Sequence, residues 1–174
     1  RPQREAPRGG GGARLEAGAS PGAKTRFSLN TLLDGICELY EPVAEESGMT
    51  LRQCPMPDEV IEVEGESQLV AQAVTNVIDN AIKYAASSSP DITIGLVPNG
   101  DYVDIIIADH GPGIAKDDRE RALKRFVRLE ASRSLPGSGL GLSLVAAVAR
   151  LHSGQVRLDD NQPGLKVILS LRRL

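Results

Sequence analysis

Two asparagines four residues apart lie in the most regular helical pattern of the chain. Asn76 and Asn80 stand in ESQLVAQAVTNVIDNAIKYA, and Lys83 and Tyr84 follow one turn later. Because residues i and i+4 of a helix share a face, these side chains are predicted to form one polar face. An amide oxygen can ligate Mg²⁺, and a lysine offers a point charge to phosphate. An ordinary solvated helix would show the same face, so this motif alone does not decide the function.

A second motif, DHGPG at residues 109–113, follows the apolar sequence YVDIIIA. An aspartate at the end of a strand places a carboxylate at the edge of a sheet, and nearby glycines let the backbone approach a ligand closely. A carboxylate accepts hydrogen bonds from an exocyclic amine such as that of adenine. An ordinary turn is the alternative interpretation.

A third motif, GSGLGL at residues 137–142, leads directly into another helical pattern. A glycine-rich entry presents free N–H groups and the positive end of the helix dipole to phosphate. The motif matches neither the dinucleotide fingerprint nor a P-loop, and a flexible hinge is the alternative. The segment between the last two motifs, 114–136, holds seven basic residues against four acidic ones. Its length and charge predict a mobile lid suited to a polyphosphate.

The elements that position these motifs follow from the apolar spacing. Helices are predicted at 29–47, 66–85 and 140–152, with Gly48 ending the first. Strands are predicted at 49–54, 60–64, 91–97, 102–109, 155–160 and 165–173. Because the strands come as hairpins separated by helices, we expect a two-layer α/β sandwich with about three helices on one face of a mixed, mostly antiparallel sheet.

The composition excludes several classes of function. The 174 residues suit one domain, and a net charge of −3 gives no general attraction to nucleic acid. Three tyrosines, two phenylalanines and no tryptophan are few platforms for stacking bases. Cys37 and Cys54 fit no metal spacing or disulfide framework and are expected to be packing or surface thiols. No apolar run approaches the roughly 20 residues that span a bilayer, so we expect no membrane contact.

Residues 1–24 differ from the rest of the chain. They hold six glycines, three prolines and one large apolar side chain, Leu15. Such a segment cannot bury enough surface to offset its ordering entropy. We therefore expect a flexible linker, or the remnant of an upstream domain, before a folded domain at 25–174. An RNA-binding Arg/Gly tail is the alternative, and the absence of repeats disfavours it.

Together these motifs resemble the boxes of the sensor histidine kinase catalytic domain, in order and in spacing, over residues 25–174. NVIDNAIKY resembles the N box, DHGPG the G1 box, RFVRLEASRS the F box and GSGLGL the G2 box. The resemblance implies the Bergerat ATP-binding fold shared with gyrase, MutL and heat-shock chaperone ATPases. It also implies a protein-histidine kinase activity with ATP and Mg²⁺ as cofactors.

The resemblance assigns roles to the helical motif and to the lid. Asn80 should ligate Mg²⁺, while Asn76 and Tyr84 should line the nucleotide site. Lys83 should lie near phosphate, and Arg128 should reach toward the terminal phosphate.

The same resemblance assigns roles to the residues of the two glycine-rich motifs and to Phe126. Asp109 should accept the adenine amino group, and Phe126 should anchor the lid. Three residues should lie close to the base, namely Gly111, Gly113 and Ile114. The lid hinge and phosphate loop should be formed by Gly137, Ser138, Gly139, Leu140 and Gly141.

The phosphoacceptor of the family is a histidine followed by Glu or Asp in a helical dimerisation domain. Neither His110 nor His152 has that context, so both are expected to be structural. The resemblance therefore implies an acceptor on the dimerisation and histidine phosphotransfer domain of the parent protein, and a response regulator receiver domain as the next partner. It also implies a cytoplasmic domain, whose parent is in most members of the family anchored in the membrane.

Two other functions fit the same fold. The first is an ATPase clamp, whose relatives place a water-activating Glu four residues before the Mg²⁺-binding Asn. Here that position is Asn76, and an amide cannot take up a proton at neutral pH. A histidine nitrogen is already nucleophilic and needs less activation. The second alternative, a non-catalytic nucleotide sensor, would be signalled by the loss of a box, and none is lost.

Overall fold

The computed structural model describes residues 23–85, 89–124 and 141–174. The strands in these residues are β1 (Thr25–Ser28), β2 (Thr50–Gln53), β3 (Glu62–Gly65), β4 (Asp91–Asn99), β5 (Tyr102–Ala108), β6 (Gln155–Asp160) and β7 (Leu165–Arg172). The helices are α1 (Leu29–Glu46), α2 (Ser67–Ala85), α3 (Arg119–Leu123) and α4 (Gly141–Leu151), with a 3₁₀ turn at Lys116–Asp118 before α3. Most of the expected linker at 1–24 lies outside the described residues.

The main sheet has five strands in the order β2-β4-β5-β7-β6. The β2–β4 pair is parallel, and the other three pairs are antiparallel. Helices pack on one face of this sheet, with α2 in contact with both α1 and α4. These features confirm the expected two-layer α/β sandwich with a mixed, mostly antiparallel sheet.

A separate two-stranded sheet, formed by β1 and β3, was not expected from the sequence. Thr25 and Arg26 are exposed, and Phe27 and Ser28 are half-buried. A strand with no fully buried side chain shows no alternation of apolar and polar residues, which is the signal that sequence analysis depends on.

The central strand β5 and the helix α2 share the apolar core. Val103 and Ile105 of β5 are fully buried, as are Val74 and Ile78 of α2. Each such side chain stabilises the fold by about 1.5–3 kcal/mol relative to an exposed one. The apolar stripe of α2 is therefore anchored in the core, and its asparagines remain at the partly exposed positions between.

The ends of α1 match the local sequence. The Ser28 side chain accepts a hydrogen bond from the backbone N–H of Thr31 at 3.2 Å and caps the first turn. At the other end the N–H of Met49 donates to the carbonyl of Ala44 at 2.8 Å, while Gly48 has a φ of 75°. Glycine adopts this left-handed conformation without steric cost. The predicted helix stop at Gly48 is confirmed.

Of the two cysteines, one is a packing thiol and the other a surface thiol. Cys37 is a buried side chain of α1, whereas Cys54, just after β2, is exposed. Burial, and to a smaller extent the charges of Asp34 and Glu41, raise the pKa of the Cys37 thiol to about 11. Among the described residues no helix is long and apolar enough to cross a bilayer.

We expect thiol reagents to distinguish these cysteines. Because the thiolate is the reactive species, native protein near pH 8 should be alkylated at Cys54 within minutes, and Cys37 should react only after unfolding. Mass spectrometry of iodoacetamide-treated protein, with and without denaturant, measures this difference. The variant Cys54→Ser serves as the control and should take up almost no label while native. Rapid labelling of Cys37 in the folded protein would contradict the packing described above.

Candidate nucleotide site

The polar face of α2 carries the first set of expected site residues. Asn76, Asn80 and Tyr84 are half-buried, and Lys83 is exposed. The intervening Val77 and Ala81 are buried in the core. The asparagines therefore lie beside the buried stripe of α2, at positions where they can contact a ligand.

Asn80 lies directly against the first residue of α4. A Cβ atom on Gly141 would approach Nδ2 of Asn80 to 2.9 Å and Oδ1 to 3.4 Å. Only a glycine at this position leaves the carboxamide where it is. The contact brings the N box motif of α2 to the start of α4, an 11-residue helix whose N-terminus attracts anions. The structure thus brings together Asn80 and Gly141, two residues that the sequence analysis assigned to one site.

The carboxylate of Asp109, just after β5, is held by main-chain groups. Its Oδ1 accepts hydrogen bonds from the N–H of Gly111 at 2.9 Å and the N–H of Leu165 at 3.2 Å. The residue is half-buried, and within the described ranges no residue donates to Oδ2. Because Oδ1 is occupied, Oδ2 is the atom that can accept a hydrogen bond from a ligand.

The turn between β6 and β7 supports this aspartate, and the sequence analysis missed that role. The side chain of Asn161 donates to the backbone carbonyl of Asp109 at 2.7 Å. Gly164 has a φ of 120°, and a Cβ atom there would overlap the same carbonyl. A Cβ atom on Gly113, at a φ of 72°, would approach the Gly164 carbonyl oxygen to 2.7 Å. The sequence signal for this support is the Pro163-Gly164 pair between the predicted strands at 155–160 and 165–173, which the sequence analysis did not connect with Asp109.

The predicted lid begins with folded residues. The side chain of Arg119 donates to the carbonyl of Ile114 at 3.2 Å, and Ala122 of α3 is buried. The 3₁₀ turn and α3 were not expected within a mobile segment, and the burial of Ala122 is what anchors them. Several assigned residues lie outside the described part of the chain, namely Phe126, Arg128, Gly137, Ser138, Gly139 and Leu140.

The charge of Lys83 acts on a carboxylate of its own helix. Burial raises the pKa of Asp79, and the Lys83 ammonium one turn away opposes that increase. Burial also raises the pKa of Tyr40, and the negative charge of Asp79 raises it to a smaller extent. A side-chain hydrogen bond with Thr75 lowers the same pKa. Asp79 therefore lies close to Tyr40 of α1.

The oxygen ligands available at this site suit a magnesium ion that is also bound by the phosphates of a nucleotide. In residues 23–85, 89–124 and 141–174, no cluster of three or more His, Cys, Asp or Glu could hold a metal. Mg²⁺ commonly uses one or two protein oxygens together with phosphate oxygens and water. The half-buried carboxamide of Asn80 beside the α4 N-terminus could supply such an oxygen.

The fold and this site define an ATP-binding domain of one family. The sequence model of the family described as "Histidine kinase-, DNA gyrase B-, and HSP90-like ATPase" matches residues 65–174. The matched region contains the α2, Asp109 and α4 motifs. The chain belongs to this family.

Within the family, its relatives are sensor histidine kinases. MprB of Mycobacterium leprae, a signal transduction histidine-protein kinase/phosphatase, is 35% identical over 105 residues, which are 60% of this chain and 20% of MprB. The solved structure of a mycobacterial sensor histidine kinase MprB has a TM-score of 0.72 at 27% identity and covers 87% of this chain and 98% of its own. Full-length ShkA in complex with AMPPNP has a TM-score of 0.72 at 25% identity, over 92% of this chain and 33% of ShkA.

These findings identify the chain as a sensor histidine kinase ATP-binding domain. The chain spans about a fifth of the length of the curated MprB relatives it matches.

Proposed function

We propose that this domain binds Mg²⁺·ATP and transfers the γ-phosphate to a histidine on a separate dimerisation domain, for relay to a response regulator. The observation that carries the proposal is the contact between Asn80 and Gly141. It joins a candidate metal-binding amide to a helix N-terminus, so one place offers a cation ligand and an anion site. The AMPPNP bound to the related ShkA supports an adenine nucleotide as the ligand.

At the end of the site that binds the base, Asp109 recognises the adenine. Its Oδ2 accepts the adenine amino group, while the N–H groups of Gly111 and Leu165 hold Oδ1 in place. Gly111, Gly113 and Ile114 form the backbone beside the base. The half-buried Tyr84 and Asn76 line the cleft above α2.

At the phosphate end, Asn80 supplies the metal-ligating amide oxygen and Lys83 a positive charge. Bound Mg²⁺ neutralises charge on the phosphate oxygens. Arg128 reaches toward the terminal phosphate, and Phe126 anchors the lid that excludes water. The loop of Gly137, Ser138, Gly139, Leu140 and Gly141 forms the hinge and the phosphate-binding backbone.

Asn76 favours histidine phosphorylation over ATP hydrolysis. It lies one turn before Asn80 on the same face of α2. An amide there can orient a group but cannot remove a proton from water or from a serine hydroxyl. A neutral imidazole nitrogen attacks phosphorus without such a base. The absence of a carboxylate at this position therefore argues against an ATPase clamp.

The similarity to sensor histidine kinases supports the proposed partners and location. The proposed folded unit is residues 25–174. The phosphoacceptor belongs to the dimerisation domain of the parent protein, and a receiver domain takes the phosphate from it. The domain works in the cytoplasm, and its parent is anchored in the bacterial inner membrane.

A transfer experiment with radiolabelled ATP tests this function. Alone, the chain should hydrolyse ATP slowly and remain unlabelled. With the separately expressed acceptor domain of its parent, it should label that domain weakly, because the effective concentration of a tethered domain is lost. The label should be acid-labile and base-stable, as expected for phosphohistidine. An acceptor domain without its histidine is the control. Acid-stable label on the chain alone, or rapid turnover without acceptor, would instead indicate a serine kinase or an ATPase.

A further inference from the structure

His152, the residue that follows α4, uses both of its ring nitrogens. Nδ1 lies 2.7 Å from the carbonyl oxygen of Val148, and Nε2 accepts the backbone N–H of Glu66 at 3.0 Å. A carbonyl can only accept, so Nδ1 carries the hydrogen and Nε2 is the acceptor. The side chain is buried, at 8% exposure. It therefore links the end of α4 to a segment 86 residues away in sequence.

The bond to Glu66 fixes the beginning of α2. Glu66 immediately precedes that helix, and its carbonyl accepts the first helical hydrogen bond, from the N–H of Val70 at 3.1 Å. In a capping box, the N–H of such a residue is bound by a Glu or Gln side chain three positions later. Here that position is Leu69, which has no acceptor. The imidazole of His152 supplies the acceptor that α2 lacks.

Close packing supports the same link. A Cβ atom on Gly65 would overlap Cδ2 and Nε2 of the His152 ring. The backbone at the β3–α2 junction therefore lies directly against the imidazole. The hydrogen bond and the close packing act at the same place. A shift of α2 along α4 would therefore either break the hydrogen bond between His152 and Glu66 or press the backbone of Gly65 into the imidazole ring.

The opposite ends of the two helices meet at the candidate site. There Asn80 of α2 lies against Gly141 of α4. Glu66 and Asn80 are about 20 Å apart along α2, from the rise per residue of an α-helix. His152 is thus remote from any nucleotide, but it holds the helix that carries both asparagines. Asp109 follows β5 and is not carried by α2.

We propose that His152 is a positioning residue, which sets the register of α2 against α4 and thereby aligns Asn76 and Asn80 with the phosphate end of the nucleotide. This inference rests on the proposed function. A displacement of about 1 Å in a reacting or binding group can cost up to about a hundredfold in rate. Loss of the link should therefore weaken contacts to Mg²⁺ and phosphate and leave adenine recognition unchanged.

Two variants that differ by one methylene test the link in the full chain. His152→Asn can still donate near the Val148 carbonyl but is too short to reach the N–H of Glu66, whereas His152→Gln can reach it. We expect His152→Asn to bind Mg²⁺·AMPPNP roughly tenfold more weakly and adenosine within about twofold of wild type. His152→Gln should restore most of the lost affinity. Calorimetry measures the affinity for Mg²⁺·AMPPNP, and NMR titration measures the affinity for adenosine.

A stability control separates positioning from general destabilisation. Ile168 is buried but does not belong to the core cluster shared by α2 and α4. Ile168→Ala should lower the melting temperature and leave both affinities unchanged. If His152→Asn folds too poorly, Gly65→Ala displaces the ring with the histidine retained and should give the same selective loss.

Equal weakening of both ligands, or no weakening of Mg²⁺·AMPPNP, would overturn the positioning role. A wild-type chain that binds neither ligand would overturn the proposed function as well, so the two failures are distinguishable.

Discussion

Replacing Asn80 with alanine is expected to remove the magnesium-dependent part of nucleotide binding. In the wild-type chain, Mg²⁺ should strengthen AMPPNP binding, because the Asn80 amide oxygen and the phosphates share the cation. In Asn80→Ala that gain should fall at least about tenfold, since even groups behind a metal ligand contribute that much to metal affinity. Calorimetric titrations with Mg²⁺ and with EDTA measure the gain.

The fold should tolerate this change. Asn80 is half-buried, and its side chain has no hydrogen-bond partner among the described residues that an alanine would leave unpaired. Its neighbour Gly141 has no side chain that could lose contacts. The melting temperature should change by a few degrees at most. Gln72→Ala, at an exposed position of α2, is the matched control and should retain the magnesium effect. If Mg²⁺ strengthens binding equally in wild type and Asn80→Ala, Asn80 is not a metal ligand.

Replacing Asp109 should weaken adenine nucleotides selectively. A hydrogen bond to a charged group is worth about 1.5–3 kcal/mol, so Asp109→Ala should lower ADP affinity about 10- to 150-fold. Alanine also leaves the N–H groups of Gly111 and Leu165 without their acceptor. Asp109→Asn is the sharper variant, because its amide oxygen can still accept both bonds and only the outer atom becomes a donor.

Asp109→Asn is also expected to change which base the site prefers. An NH₂ group in place of Oδ2 opposes the adenine amino group and can donate to the carbonyl of hypoxanthine. The ratio of ADP to IDP affinity should therefore fall at least about tenfold. Asp101→Ala, an exposed aspartate at the other end of β5, is the control. ADP affinity that is unaffected in both Asp109 variants would make this aspartate a turn residue only.

The sequence predicted the parts of the fold that carry a local pattern. The helices α1, α2 and α4 and six of the seven described strands follow from apolar periodicity and from glycine and proline boundaries. Strand β1 did not, because it has no buried side chain, and α3 did not, because one buried alanine is too weak a signal. The predicted site residues in the described ranges lie on α2, after β5 and at the start of α4, as their spacing required.

The supporting contacts could not be predicted, because they join residues that are far apart in sequence. Asn161 binds the Asp109 backbone across 52 residues, and His152 binds Glu66 across 86. Nothing in the sequence near either partner marks these pairs. The sequence analysis considered His152 structural, and its hydrogen bonds agree with that. Its connection to the helix that carries Asn80 depends on the packing of α2 against α4.

The hold on Asp109 has a consequence for mutational tolerance. Both groups that orient its carboxylate are main-chain N–H groups. The side chains at positions 111 and 165 therefore do not help to orient Oδ2. At Leu165 any residue except proline retains the bond. The constraint falls instead on Gly164, where any side chain would meet the Asp109 carbonyl. Resistance to a base-mimicking inhibitor that arises through displacement of this carboxylate is therefore expected from changes at Gly164 and not from changes at Leu165.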